Sequence, residues 1–199
     1  MNHLAHTVLA GPEPMFVTGG LLGDFWRGAP DPAWPRALAI GVQLHRRIDT
    51  LADTQPRVVE ARRRFEPPFR RYAGILLDVW FDHLLARSFE RLCDTSLREH
   101  VERVYAILRS DEPYWPAPFR LFAARLVPRD GLARYLEREH VEAVLERISE
   151  RLQRDNPVAL ALPVLESLEG PLERDFEALW PELAGAAASE RERLVGGES

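Results

Sequence analysis

Lysine is absent from this chain of 199 residues; all 26 basic residues are arginine, a compositional bias that carries no chemistry of its own. Cysteine occurs once, at Cys93, which excludes an internal disulfide and any cysteine-rich zinc site. No stretch approaches the roughly 18 uninterrupted apolar residues that a membrane span needs. The opening "MNHLAHTVLA" has neither a basic n-region nor a signal-peptide apolar core, so a cytoplasmic protein without a membrane partner is expected. Strand signals are scarce, since no alternating β-branched runs flank a tight hairpin turn. The glycine-rich spots "TGGLLGD" and "LVGGES" follow no strand and match no phosphate loop. There is no "GxSxG" nucleophile motif, and Cys93 has no nucleophile context.

What is present is helical periodicity cut by prolines. The pattern predicts helices over about 2–10, 14–27, 34–53, 56–65, 68–91, 95–110, 116–127, 130–153, 155–168 and 171–188. Breaks fall at "GPEP", "APDPAWP", "EPP", "DEPYWPAP", "VPRDG", "RDNP" and "EGP". With 46% hydrophobic and 29% charged residues, this reads as one compact all-α domain over 1–187, followed by a frayed tail over 188–199. The net charge of −5 argues against nucleic acid as a partner. Charge is nonetheless uneven. Arginines 46, 47, 57, 62, 63, 64, 70 and 71 face only Asp49, Asp53, Glu60 and Glu66 in the same stretch. Such a basic segment suits an acidic partner or substrate, and equally suits a solvated helix face.

The chemistry-bearing residues interrupt apolar helices. On a helical wheel of Arg36–Asp53, at about 100° per residue, residues Leu38, Ile40, Gly41, Val42, Leu44, Ile48, Leu51 and Ala52 fill one arc. His45 and Asp49 fall inside that arc, four residues apart and therefore adjacent. An ionised carboxylate there needs a cation, a protonated neighbour or a metal; a self-satisfied His–Asp pair is the simplest solution. The stretch "ILLDVWFDHLLA" reads as a helix buried all round, yet holds Asp78, Asp82 and His83. Asp78 and Asp82 share a face and repel unless something positive separates them, either an arginine such as Arg71 or a divalent metal. Asp24 repeats the theme in "GGLLGDFWRG", with a helix cap or an arginine pair as the plain reading. At the N-terminus Asn2 and His6, with His3 nearby, sit on a short apolar helix. Carboxylates and imidazoles without thiolates suit Mn²⁺, Fe²⁺ or Mg²⁺, with Zn²⁺ as an alternative. Metals so bound activate water and polarise phosphoryl or carbonyl oxygens.

Four segments, "MNHLAH", "GGLLGDFWRG", "HRRIDTLAD" and "YAGILLDVWFDHLLAR", resemble in order and spacing the bacterial acyl carrier protein phosphodiesterases. The likeness runs from Met1 to about Arg91 and more weakly beyond. It implies an HD-phosphohydrolase-like all-α fold and a divalent cofactor, manganese first, with Mg²⁺ or Fe²⁺ as alternatives. The implied reaction is hydrolysis of holo-acyl carrier protein to apo-protein and 4′-phosphopantetheine. By matching position it implies Asp24, His45, Asp49, Asp78, Asp82 and His83 as catalytic, all but Asp82 as metal ligands, and Asn2 and His6 in support. Arg46, Arg47 and Arg71 become candidate contacts for the phosphate or the acidic carrier. In one departure, HD proteins carry a His-Asp dipeptide, whereas Asp82-His83 has the reverse order. Two other readings remain open: a phosphohydrolase acting on a nucleotide or another small phosphodiester, and a non-catalytic helical binding protein.

Overall fold

In a computed structural model that describes residues 1–197, the chain is all-α, with no strand among the described residues. The helices in chain order are α1 (His3–Leu9), α2 (Pro14–Leu22), α3 (Arg36–Thr54), α4 (Pro56–Arg63), α5 (Ala73–Arg87), α6 (Phe89–Leu92), α7 (Leu97–Leu108), α8 (Ala117–Leu126), α9 (Arg138–Arg151), α10 (Leu162–Ser167) and α11 (Glu169–Gly196). Their starts follow from local chemistry. Pro14 opens α2, where it removes a backbone donor the first turn would leave unpaired, and the Glu13 carboxylate accepts from Phe16 N–H at 2.6 Å. Ser96 caps α7 by accepting from Glu99 N–H at 3.2 Å.

Helix α5 lies at the centre. Leu76, Leu77, Val79, Trp80, Phe81, Leu84 and Leu85 are all buried, as an apolar-all-round segment requires. Against α2 and α11, α3 turns inward the arc expected of it, with Leu38, Val42, Leu44, His45 and Ile48 buried; Leu51 is only partly covered. The crossing of α2 and α3 is made of backbone. A Cβ on Gly19 would lie 2.6 Å from Gly41 backbone atoms, and one on Gly41 would lie 2.9 Å from Phe16 Cα. This contact brings the ends of α2 and α3 together, and with them Asp24 and His45.

Several predicted helices are divided. The 14–27 helix gives way to a 3-10 turn at Gly23–Phe25 and then to a loop, where Gly28 adopts φ +83°. The 68–91 helix separates into a 3-10 turn at Arg70–Tyr72, then α5 and α6, which meet at Ser88. The 188–199 stretch, read as a tail, continues α11 through Gly196, because Glu190 and Leu194 extend its buried stripe from Leu183 and Ala187; residues 198–199 lie outside the described residues. No helix among the described residues is long and apolar enough to cross a membrane.

Candidate active site

The site assembles from α1, α3 and the turn after α2. His45 Nδ1 lies 2.8 Å from the Gly20 carbonyl oxygen, which can only accept, so Nδ1 carries the proton. The ring then turns Nε2 toward Asp49 Oδ2 at 3.2 Å and Asp24 Oδ1 at 3.7 Å. His6, from α1, stacks on His45 with ring centroids 4.0 Å apart and aims its Nε2 at Asp49 Oδ1 at 3.0 Å. One ligand atom from each of His6, His45 and Asp49 lies within 4.8 Å of the other two. At the rim His3 Nε2 stands 3.6 Å from Asp24 Oδ2. Asp24 is 47% exposed at its side chain and His6 only 1%, so the cluster opens outward through Asp24.

The electrostatics follow from this packing. Burial pulls His6 down to about 4, and the Asp49 hydrogen bond only partly offsets it, so His6 is a neutral imidazole at neutral pH. Burial also acts downward on His45, but Asp49 and Asp24 outweigh it and raise that imidazole above its ordinary value. Burial acts upward on Asp49, yet the hydrogen bonds from His45 and His6 hold it well below the usual carboxylate range. A carboxylate set between two ring nitrogens needs positive charge nearby; the Met1 ammonium 3.4 Å from Asp49 Oδ1 supplies part of it, and a proton on His45 or a bound cation would supply more. Two neutral-capable imidazoles with two carboxylates and no thiolate form a donor set that fits Mn²⁺, Fe²⁺ or Mg²⁺. The Gly20 carbonyl fixes the His45 tautomer and leaves Nε2 turned into the cluster.

The structure sorts the expected residues. It brings Asp24, His45 and Asp49 together and places His6 among them. Asp78 stands beside the cluster, where the α-amino group of Met1 lies 3.0 Å from Asp78 Oδ1 and 3.4 Å from Asp49 Oδ1. Burial raises Asp78, and the ammonium opposes that rise. Asp82 and His83 are engaged elsewhere. Asp82 accepts Leu4 N–H at 2.7 Å and Ala5 N–H at 3.1 Å, which caps α1, the helix that carries His3 and His6. Burial raises Asp82 to about 7, with the two backbone donors opposing. His83 donates from Nδ1 to the Tyr135 carbonyl at 2.6 Å, and its buried Nε2 has no partner. Asn2 accepts His3 N–H and donates to the Tyr135 hydroxyl at 2.7 Å, so it too fixes α1.

The expected partner arginines are largely tied down. Arg46 donates to the Gly28 and Trp26 carbonyls, bracing the loop after α2. Arg47 pairs with Glu190 at 2.8 Å, and Arg71 lies over the Tyr72 ring. The rim histidine, His3, received little weight from the sequence, although its spacing of three from His6 puts both on one face of α1.

An inward-facing imidazole and carboxylate cluster on a helical scaffold has the donor set of a metal-dependent hydrolase. The profile of the family described as acyl carrier protein phosphodiesterase matches residues 1–183. An acyl carrier protein phosphodiesterase of Yersinia enterocolitica is 36% identical over 188 residues, covering 94% of this chain and 97% of its own length. That of Yersinia pestis is 34% identical, covering 91% of this chain and 94% of its own. That of Escherichia coli O157:H7 is 35% identical, covering 94% and 98%. The chain belongs to the acyl carrier protein phosphodiesterase family. No solved structure matches it.

Proposed function

We propose that this chain is a divalent-metal-dependent phosphodiesterase that releases 4′-phosphopantetheine from holo-acyl carrier protein. Membership of the family supports this choice of substrate. The observation that carries the metal dependence is the convergence of His6, His45 and Asp49, with Asp24 at the open side. These four would hold the ion, Mn²⁺ first, and Asp78 lies next to them. When bound, the ion supplies Lewis acidity toward the phosphoryl oxygens and lowers the pKa of water.

The remaining work falls to the chain's own residues. Asp49, held ionised by two imidazoles, is a poor proton donor and serves to fix both rings. With Asp24 among the residues that would hold the ion, His3 Nε2, 3.6 Å from Asp24 Oδ2 where the cluster opens, is the group left to move a proton. Asp82 and Asn2 hold α1, and with it His3 and His6, in register.

The test is to incubate holo-carrier protein with the purified enzyme and Mn²⁺ and follow apo-protein and phosphopantetheine by mass spectrometry. Asp49→Asn is expected to lower turnover by at least roughly 100-fold, since even outer partners of metal ligands cost 10- to 100-fold. Wild-type turnover unaffected by a chelator, or full activity in Asp49→Asn, would remove the metal role.

A further inference from the structure

A cavity of about 440 Å³ opens beside the cluster, between α1, α8, α9 and the turn before α9. His3 and Phe25 line it, so it shares a wall with the rim where Asp24 and His3 face each other. Its inner surface is apolar, formed by Phe25, Phe122, Leu126 and Val144. Leu121 is 51% exposed at the mouth, an unusual place for a large apolar side chain.

The mouth is strongly cationic. Arg125, Arg129, Arg147 and Arg151 all line it, and among the described residues none of the four has a carboxylate within ion-pairing distance. Glu150, the one acid in the lining, pairs with none of them. Arg134 is the exception, held by Glu137 at 2.8 Å. Arg147 and Arg151 stand one turn apart on α9, and like charges at that spacing repel. Partial burial lowers Arg147 from its ordinary value, and Arg129, Arg151 and Arg134 lower it further. A self-repelling cluster kept without counter-charges on a net-negative protein is a site for an external polyanion.

We infer that this face is the docking site for the acidic carrier protein, with Arg125, Arg129, Arg147 and Arg151 gripping its carboxylates and the cavity receiving the phosphopantetheine arm. The inference rests on the function proposed above and gives it a geometry. The arm is slender and uncharged beyond its phosphate, which suits a deep apolar wall with a cationic mouth. The phosphodiester joins the arm to the carrier, so it stays where the carrier docks, and His3, shared by the cavity lining and the Asp24 rim, is the wall residue that links that position to the His45–Asp49 cluster. The basic segment around residues 46–71, the other candidate surface, has Arg46, Arg47, Arg62 and Arg64 committed to internal partners.

The experiment measures binding of fluorescently labelled holo- and apo-carrier protein by anisotropy, with metal chelated so that nothing turns over. Three variants are compared with wild type: Arg125→Glu/Arg129→Glu, Arg147→Glu/Arg151→Glu, and the rival-surface pair Arg63→Glu/Arg70→Glu. The two cavity pairs should raise the dissociation constant at least tenfold and flatten its salt dependence, and the rival pair should change it no more than twofold. Val144→Phe, which fills the cavity, should remove the preference for holo- over apo-carrier. Wild-type affinity in both cavity pairs, or a larger loss in the rival pair, overturns the docking face and leaves the proposed reaction intact. Wild type that binds through these arginines but releases no phosphopantetheine with Mn²⁺ overturns the reaction and keeps the docking face. No binding by wild type overturns the docking face.

Discussion

Asp49 and Asp82 are both acids set in apolar stretches of helix, and their partners assign them different work. Asp49 looks at two imidazole nitrogens and, at 3.4 Å, the Met1 ammonium, a setting that favours positive charge. Asp82 looks at two backbone N–H groups at the start of α1, which are themselves the positive end of a helix. Substitution separates the two roles. Asp82→Ala removes a cap and leaves two buried donors unpaired, an expected loss of roughly 2–4 kcal/mol in unfolding free energy. Asp49→Ala strips a hydrogen bond from each of two buried imidazoles and should cost roughly 1–3 kcal/mol, but unlike Asp82→Ala it should also abolish Mn²⁺ binding in a calorimetric titration. Loss of Mn²⁺ binding in Asp82→Ala at a temperature where it remains folded would instead make Asp82 part of the metal centre. The His45–Asp49 pair was readable in the sequence because four residues on a helix fix adjacency. The sequence could not reveal that Asp82 meets α1, because its partners lie 77 and 78 positions away.

Among the elements, the α2–α3 crossing sets the geometry of the site. Gly19 and Gly41 let the two backbones touch, and Gly23 leaves room for the His45 ring, whose atoms a Cβ at 23 would overlap. Two substitutions should therefore behave differently. Gly41→Ala overpacks a backbone contact and should cost about 1–3 kcal/mol, read from denaturant melts. Gly23→Ala, at the end of α2, should cost less stability but turn the His45 ring, lowering Mn²⁺ affinity about 10- to 100-fold. Equal Mn²⁺ affinity in Gly23→Ala and wild type would show that the ring position is not critical. The helices themselves were legible from periodicity and proline. Their subdivisions, such as the break at Ser88 between α5 and α6, depend on neighbouring helices and were not.

Across the whole molecule, buried imidazoles away from the site tie stability to pH. Burial lowers both His100 and His140 from 6.5 to about 4. Thr7 donates its hydroxyl proton to the Leu4 carbonyl, so its oxygen accepts from His100 Nε2–H, which ties neutral His100 to α1. Between about pH 6.5 and pH 4 the unfolded chain protonates both residues while the native state does not, so stability falls as pH drops through that window. Asp82 acts in the opposite direction: its native value of about 7 lies above the ordinary 3.8, so its contribution grows as pH falls from 7. A double variant isolates the histidine effect. His100→Gln/His140→Gln should lose less melting temperature than wild type between pH 7 and pH 5, by roughly 5 °C or more. Equal slopes would mean the two imidazoles titrate normally. On the same scale, if the carrier docks on the cationic mouth of α8 and α9 as proposed, its affinity should fall with salt, read by anisotropy across a salt series.

The amino-acid sequence by itself determined the helical class, most helix starts, the apolar arc of α3, the His45–Asp49 adjacency and the family. All of these rest on spacings within one helix or on ordered local motifs. Tertiary structure alone decided that Asp24 joins His45, that His6 outranks His83 as a ligand candidate, and that Asp82 serves α1. It also decided that four arginines from two separate segments ring one cavity. These outcomes depend on which faces of distant helices pack together, and that is settled by burial of the common core rather than by any local spacing.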